Sequence, residues 1–185
     1  MLKSEAELSR LAFESARVGS WNGSAKPSKK LTNAYLVVND GKTLLLGLKK
    51  RGFGEGKVNG FGGKVDEDRE SIREAAIREM REESGVVLED MFLTAVLLYD
   101  YPLKQSTMEV YVYKATKYSG EIAESEEMSP RWVEASDLNF AEMWADDPFW
   151  MDKLLRSEKR QFVGWFDFSD DMSRVVRCKV DDVPS

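Results

Sequence analysis

The sequence predicts an α/β fold of the α+β kind, a mixed β-sheet covered by helices. Three observations carry this. The segments run strands, helix, strands, helix, strands, an order that packs helices onto a sheet. The chain has 185 residues, enough for one domain with a full core and no covalent staples. It shows no internal repeat.

Residues 1–30 stand apart. In "SEAELSRLAFESARVG", Leu8, Leu11, Ala12 and Ala16 fall at roughly helical spacing, and "SAKPSKK" reads as a linker. The expectation is an N-terminal extension over 1–30, a loosely docked helix or a disordered tail, ahead of a domain over 31–185. A mitochondrial transit peptide is Arg-rich and acid-poor. Here Arg10 and Arg17 are accompanied by Glu5, Glu7 and Glu14, which argues against one.

"AYLVV" and "TLLLGL" flank "NDGK", a hairpin signal. "KKRGFGEGKVNGFGGKVDED" follows, glycine-rich and too long for an ordinary turn. Residues 71–84 carry the strongest helix pattern, closed by Gly85. "FLTAVLLYDY", "TMEVYVYKA" and the short "RWVEAS" read as strands. In "DDPFWMDKLLRSEK" a second helix is expected, with Asp147 as N-cap and Pro148 at N1. "QFVGWFDF" and "SRVVRCKV" close the chain as strands.

Composition removes several chemistries. There is no histidine, which excludes Ser-His-Asp and Cys-His triads and histidine-ligated zinc. The lone Cys178 allows no internal disulfide and points to a reducing compartment. The expected location is cytoplasmic, with a mitochondrial or nuclear fraction compatible. No apolar run approaches the ~20 residues that span a bilayer, so no membrane partner is expected. A net charge of −6 argues against a groove for a nucleic-acid polymer.

"REMREESGV" then poses a physical problem. On a helix, Glu79, Glu82 and Glu83 share one side, and like charges so placed repel. At about 100° per residue, Glu79 and Glu83 lie within about 20° of Ile72, which with Ala76 defines the inward face. Glu82 lies beside Ala75. The carboxylates thus continue the apolar stripe, and an unpaired buried carboxylate is costly. Clustered hard oxygen ligands suit Mg²⁺ or Mn²⁺, and Mg²⁺ commonly shares its shell with substrate phosphates. The upstream loop supplies the complement. Gly60, Gly62 and Gly63 let the backbone approach a ligand, and Lys49, Lys50, Arg51 and Lys64 bring positive charge for a phosphate tail.

"GGKVDEDRESIREAAIREMREESGV" resembles the Nudix box, G-x5-E-x7-R-E-U-x-E-E-x-G-U with U apolar. Arg78, Glu79, Met80, Glu82, Glu83, Gly85 and Val86 match, and Glu70 stands correctly ahead of Arg78. One departure is visible: six residues, 64 to 69, separate Gly63 from Glu70 instead of five. "LLLGLKKRGFGEGKVNGFGGKV", "ESEEMSPRWV", "MWADDPFW" and "FVGWFDF" further resemble the eukaryotic members that hydrolyse oxidised purine nucleoside triphosphates, 8-oxo-dGTP and 2-hydroxy-dATP.

The resemblance implies a Nudix-type mixed sheet sandwiched between helices, and an Mg²⁺-dependent hydrolase (Mn²⁺ compatible). It implies that Glu79, Glu82, Glu83, Glu127 and the carbonyl of Gly62 hold the cations, that Arg78 and Glu70 pair to brace the loop, and that Glu83 is the base. Lys49 and Lys64 would lie along the phosphates, with Phe61, Gly62 and Gly63 beside them. Asn59, Trp144, Ala145, Asp146 and Asp147 would form the base pocket, Asn59 reading two adjacent purine positions and Trp144 stacking. Phe53, Tyr99, Tyr101, Met108, Trp150 and Phe168 would line it. Val58 stands where vertebrate members carry tryptophan, Ala34 where they carry a hydroxyl residue, and Tyr99 and Tyr101 replace phenylalanines. Asp146 and Asp147 would share one proton. The implied partner is a small nucleotide, acted on by a monomer. Two other readings stay open: a Nudix hydrolase of a dinucleoside polyphosphate or ADP-ribose, and a non-catalytic nucleotide-binding module.

Overall fold

The computed structural model describes residues 2–21, 23, 28–101, 104–156 and 158–184. In chain order the elements are α1 (Glu5–Val18), β1 (Ser28–Val38), β2 (Thr43–Lys49), β3 (Val58–Asn59), α2 (Ile72–Ser84), β4 (Val86–Leu88), β5 (Phe92–Asp100), β6 (Thr107–Ala115), β7 (Tyr118–Gly120), β8 (Met128–Glu134), α3 (Met151–Leu155), β9 (Phe162–Phe168) and β10 (Val175–Asp182). The main sheet has the order β10-β9-β5-β6-β1-β2-β3, with β8 also on β2. It is mixed: β1 with β6 and β5 with β9 run parallel, the other pairs antiparallel. The two-stranded sheet of β4 and β7 was not expected, because three-residue strands carry no periodicity to read.

Both sheet faces are covered, as a mixed sheet between helices requires. Leu36, Leu45, Val96, Leu98 and Tyr113 pack with α1 and α2 on one side. Their strand neighbours Tyr35, Val37, Leu44, Leu46, Leu97 and Val112 pack with α3 on the other. This is the period-2 alternation of a pleated strand applied to two cores. The "NDGK" hairpin turns through Asn39, Asp40 and Gly41, all at positive φ, where short polar residues and glycine are tolerated.

Helix α2 forms where the sequence signals it. Ser71 and Glu74 make a reciprocal capping box, and Gly85 ends the helix at φ 79°. The second expected helix is shorter than its pattern. Residues 147–149 form a 3₁₀ turn and α3 covers only Met151–Leu155. Asp147 does not cap it: its Oδ2 accepts from the Trp144 N–H at 2.9 Å, closing the preceding turn instead.

The N-terminal segment departs from loose attachment. Leu8, Ala12 and Ala16 are completely buried against the sheet. Polar contacts fix the same helix. Ser9 donates to Glu109 at 2.5 Å and Ser15 to Asp181 at 2.7 Å, and the Tyr113 hydroxyl donates to Glu5. Of the expected linker, residues 24–27 lie outside the described residues, and Ser28–Lys30 already belong to β1, paired with β6. Leu8→Ala is therefore expected to cost about 2–4 kcal/mol, as for a buried leucine, read from urea unfolding. A loss below about 0.5 kcal/mol, the surface value, would contradict this packing.

Candidate active site

The glycine segment after β3 is stitched to β1. The Ala34 and Phe61 backbones exchange hydrogen bonds, and the Thr32 N–H donates to the Gly63 carbonyl at 2.8 Å. Gly62 admits no side chain, and at Gly63 one would displace the Glu79 carboxylate. A Cβ on Gly62 would lie 2.0 Å from the Thr32 carbonyl oxygen, and one on Gly63 would lie 2.5 Å from a Glu79 oxygen. The bare backbone is thus what lets α2's carboxylates reach the loop.

Two cations hold the acidic end of α2. Arg78 donates to Glu70 through Nε at 2.9 Å and Nη2 at 2.7 Å, and through Nη1 to Glu79 at 2.8 Å and Glu82 at 3.2 Å. Its hydrogen bonds hold the Glu70 carboxyl below the usual range. Lys49 donates to Glu83 at 2.9 Å and Glu127 at 3.0 Å. Glu83 also accepts the Gly62 N–H at 2.9 Å. Burial pushes the Glu83 carboxyl up, against Lys49 and that N–H. Burial pulls Lys49 down, but its two carboxylate partners outweigh it and the net shift is upward. Glu127 is held low, chiefly by Lys49.

Lys49, Arg51, Gly62, Gly63, Lys64, Arg78, Glu79, Glu82, Glu83 and Glu127 line one cavity. Among the described residues, no three acidic side chains already converge as a preformed cation cluster; Arg78 and Lys49 engage their oxygens. The donor set nevertheless fits a hard divalent cation: Glu79, Glu82, Glu83 and Glu127 face one cavity beside the Gly62 backbone, and Gly63 leaves open the space against Glu79 that a Cβ would fill.

A second cavity opens beside the first. Asn33, Lys49, Phe53, Lys57, Asn59, Gly60, Gly62, Gly63, Tyr99, Tyr101, Met108, Trp144, Asp146, Asp147 and Trp150 line it. Its floor holds two buried carboxyls. Asp146 Oδ2 accepts from the Tyr99 hydroxyl at 2.8 Å and Trp150 Nε1 at 2.9 Å. Burial raises both carboxyls, and Asp147 rises well above its usual value because it also faces Asp146. With two donors on Asp146, the pair's proton belongs on Asp147. At the lip, Phe53 and Trp144 stack with centroids 5.1 Å apart.

The matrix of glycines, cations and α2 carboxylates is also recognised by family: the NUDIX domain matches residues 29–154. The chain belongs to the Nudix family. It is 41% identical over 156 residues to the oxidized purine nucleoside triphosphate hydrolase of Danio rerio, covering 84% of this chain and 97% of that one. The Mus musculus protein of that name is 39% identical, covering 77% and 89%. Among solved structures, the MutT protein of Bacillus halodurans superposes with a TM-score of 0.71 at 26% identity, covering 83% of this chain and 97% of that one.

The Nudix fold sorts the expected residues into three groups. Glu79, Glu82, Glu83, Glu127, Gly62 and Arg78 meet at the acidic cavity, with Glu70 behind Arg78. The extra residue before Glu70 is absorbed in an exposed turn, where the Glu70 N–H donates to the Asp66 carbonyl at 3.0 Å. Asn59, Phe53, Tyr99, Tyr101, Met108, Trp144, Asp146, Asp147 and Trp150 line the second cavity. Phe61, Ala145 and Phe168 require correction. Phe61 is fully buried in the α2-side core, because β1 pairing turns it there. Ala145 packs with the α3-side core. Phe168 lies behind Tyr101, centroids 4.9 Å apart. Lys64 lines the acidic cavity, and Lys49 lines both cavities while donating to Glu83 and Glu127.

Three residues were missed. Asn33, Tyr35 and Lys57 belong to or support the second cavity. Ala34, expected at a pocket position, faces the other core. Strand alternation from Tyr35 back to Asn33 would have found this, had β1 been taken to start before Ala34.

Asp147 gives a test with a defined sign. Its folded pKa lies above the unfolded value, so its contribution is complete below about pH 4 and is lost as pH rises through the folded value. Asp147→Asn mimics the protonated form at every pH. Its melting temperature is expected to exceed wild type by a few degrees at mildly alkaline pH and to converge with it near pH 4. A variant uniformly less stable across that range would contradict the assignment.

Proposed function

We propose that this Nudix protein hydrolyses oxidised purine nucleoside triphosphates, 8-oxo-dGTP among them, to the monophosphate and pyrophosphate, with Mg²⁺ as cofactor. One observation carries the reading. Lys49, Gly62 and Gly63 line both cavities, so a base held between Asn59 and the Asp146–Asp147 pair directs its phosphates to the carboxylates of α2. Identity to two proteins named for this activity supports it.

Glu79, Glu82, Glu83, Glu127 and the Gly62 carbonyl would hold the cation. When bound, such a cation polarises a phosphate and lowers the pKa of a water. The chain does the rest by placement. Arg78 ties Glu70, Glu79 and Glu82 into one rigid unit, a role that orients ligands. Glu83, buried and anchored by the Gly62 N–H, is the carboxylate we assign as base. Lys49 stands where the cavities meet, and an entering phosphate competes with Glu83 and Glu127 for its charge. Asp146 offers an acceptor and Asp147 a proton to the purine edge. Phe53 and Trp144 close the lip with aromatic surface.

The protein is to be incubated with Mg²⁺ and 8-oxo-dGTP, 2-hydroxy-dATP, dGTP, a dinucleoside polyphosphate and ADP-ribose, with products separated by ion-exchange chromatography. An oxidised triphosphate is expected to be preferred at least about tenfold in kcat/KM, releasing pyrophosphate. Preference for ADP-ribose or the dinucleoside polyphosphate would overturn the substrate class. Glu83→Gln is expected to lower kcat about a hundredfold or more, to melt no lower than wild type without Mg²⁺, and to gain less stability from added Mg²⁺. Full turnover in that variant would remove Glu83 from the site.

A further inference from the structure

A groove of about 570 Å³ opens between the two cavities. It shares Leu31, Phe53 and Met108 with the second cavity and Lys64 and Glu127 with the acidic one. A ligand that spans both cavities therefore lies against it. Strand geometry aims lysines into this groove. Along β1, Lys29, Leu31 and Asn33 alternate onto one face, and Leu31 and Asn33 line the second cavity. Met108 of β6 stands opposite Lys29, and an antiparallel bridge sets Lys64 opposite Leu31. Residues paired across strands share a face, so Lys29 and Lys64 project from the side that carries the groove. Lys104 comes from the turn after Tyr101, whose carbonyl accepts its N–H at 2.9 Å. Its Nζ lies 5.5 Å from the centroid of Phe53, the ring stacked on Trp144 at the lip of the second cavity.

The charge balance singles these three lysines out. The groove is lined by five cations and one carboxylate, Glu127. Lys49 is spent on Glu83 and Glu127, and Arg51 on Glu126 and Glu127. Lys29, Lys64 and Lys104 form no ion pair among the described residues. Beneath them lie Leu31, Phe53 and Met108, and apolar walls of this kind focus the field of nearby charges. The acidic cavity by itself opposes a phosphate chain, because Glu79, Glu82, Glu83 and Glu127 outnumber the Arg78 and Lys49 that engage them. Unspent positive charge beside it is what such a chain requires to approach.

Resting on the oxidised-purine triphosphate reading, we infer that Lys29 and Lys104, together with Lys64, clamp the phosphate chain of the nucleotide in this groove and set the preference for a triphosphate over the monophosphate that hydrolysis releases. Lys29 and Lys104 lie outside both the glycine segment and α2, so the clamp is supplied by the start of β1 and the turn before β6. An ammonium group is a point charge with three donors on a flexible stem, which suits a chain of phosphates that changes length during the reaction. The clamp acts on binding. A triphosphate is held by several charges at once, whereas the monophosphate keeps only the base cavity and one phosphate to hold it.

The test titrates 8-oxo-dGTP, 8-oxo-dGMP and inorganic tripolyphosphate into the full chain by calorimetry without metal, so hydrolysis plays no part. Wild type is expected to take up tripolyphosphate and to bind the triphosphate at least about tenfold more tightly than the monophosphate. One exposed charge contact changes affinity only a few-fold, so Lys29→Gln and Lys104→Gln are combined. That double variant is expected to lose about fivefold or more in affinity for 8-oxo-dGTP and tripolyphosphate, and less than about twofold for 8-oxo-dGMP. Lys117→Gln with Lys159→Gln makes the same change of net charge at exposed lysines outside the groove and both cavities, and is expected to leave all three affinities unchanged. Equal weakening of monophosphate and triphosphate by the Lys29 and Lys104 pair, or an effect no greater than that of the control pair, would overturn the clamp. A wild type that ignores tripolyphosphate, or that binds triphosphate no more tightly than monophosphate, would overturn it too. The oxidised-purine reading is judged apart: binding of 8-oxo-dGMP no tighter than dGMP would end that reading, while the tripolyphosphate titration would still decide the clamp.

Discussion

Glu79, Glu82 and Glu83 stand within about one helical turn, where their mutual repulsion opposes both the helix and its burial. The structure depends on how that charge is shared. Arg78 spans Glu70, Glu79 and Glu82, and Lys49 spans Glu83 and Glu127. The two cations come from different elements, α2 and the end of β2. Together they neutralise carboxylates and tie the glycine segment, the helix and the residues before β8 into one body. Removing either cation would leave carboxylates uncompensated, which costs more than the pairs contribute.

The same arrangement explains how a base cavity and an acidic cavity come to adjoin. Gly62 and Gly63 bring bare backbone between β1 and α2, with no room for a side chain at Gly62 and the Glu79 carboxylate against Gly63. On one side lie hard oxygen donors; on the other, a closed pocket of aromatic rings and two buried carboxyls. Burial sets the chemistry of those carboxyls. Burial raises both; two side-chain donors oppose the rise at Asp146, while Asp147, with one backbone N–H and an anionic neighbour, is raised further.

What was legible in the sequence follows from how local each signal is. Helix α2, its caps and the spacing of its carboxylates are encoded within fifteen consecutive residues, 71 to 85, and the structure reproduces them. The "NDGK" hairpin is equally local. The docking of α1 was not legible, because Leu8, Ala12 and Ala16 give an apolar stripe too short to say what it packs on; the partners are strands about a hundred or more residues away. Asn33 and Tyr35 were missed because their role depends on Asn59, reached only through the fold. Phe61 failed for the opposite reason. It sits inside a functional motif, but strand pairing turns it into the core. The contacts of Lys49 with Glu83 and Glu127 were not legible, because both partners lie far along the chain and meet it only through the fold.

The central claim is that Arg78 and Lys49 hold the carboxylates of α2 and Glu127 as a hard-cation site. Its most direct test is a Mn²⁺ titration followed by electron paramagnetic resonance, in which free and bound ions are distinguished and Mg²⁺ is added as competitor. Wild type is expected to take up Mn²⁺ that Mg²⁺ displaces, and Glu79→Gln and Glu83→Gln are each expected to weaken uptake by about tenfold or more. Uptake unchanged in both variants would contradict the account.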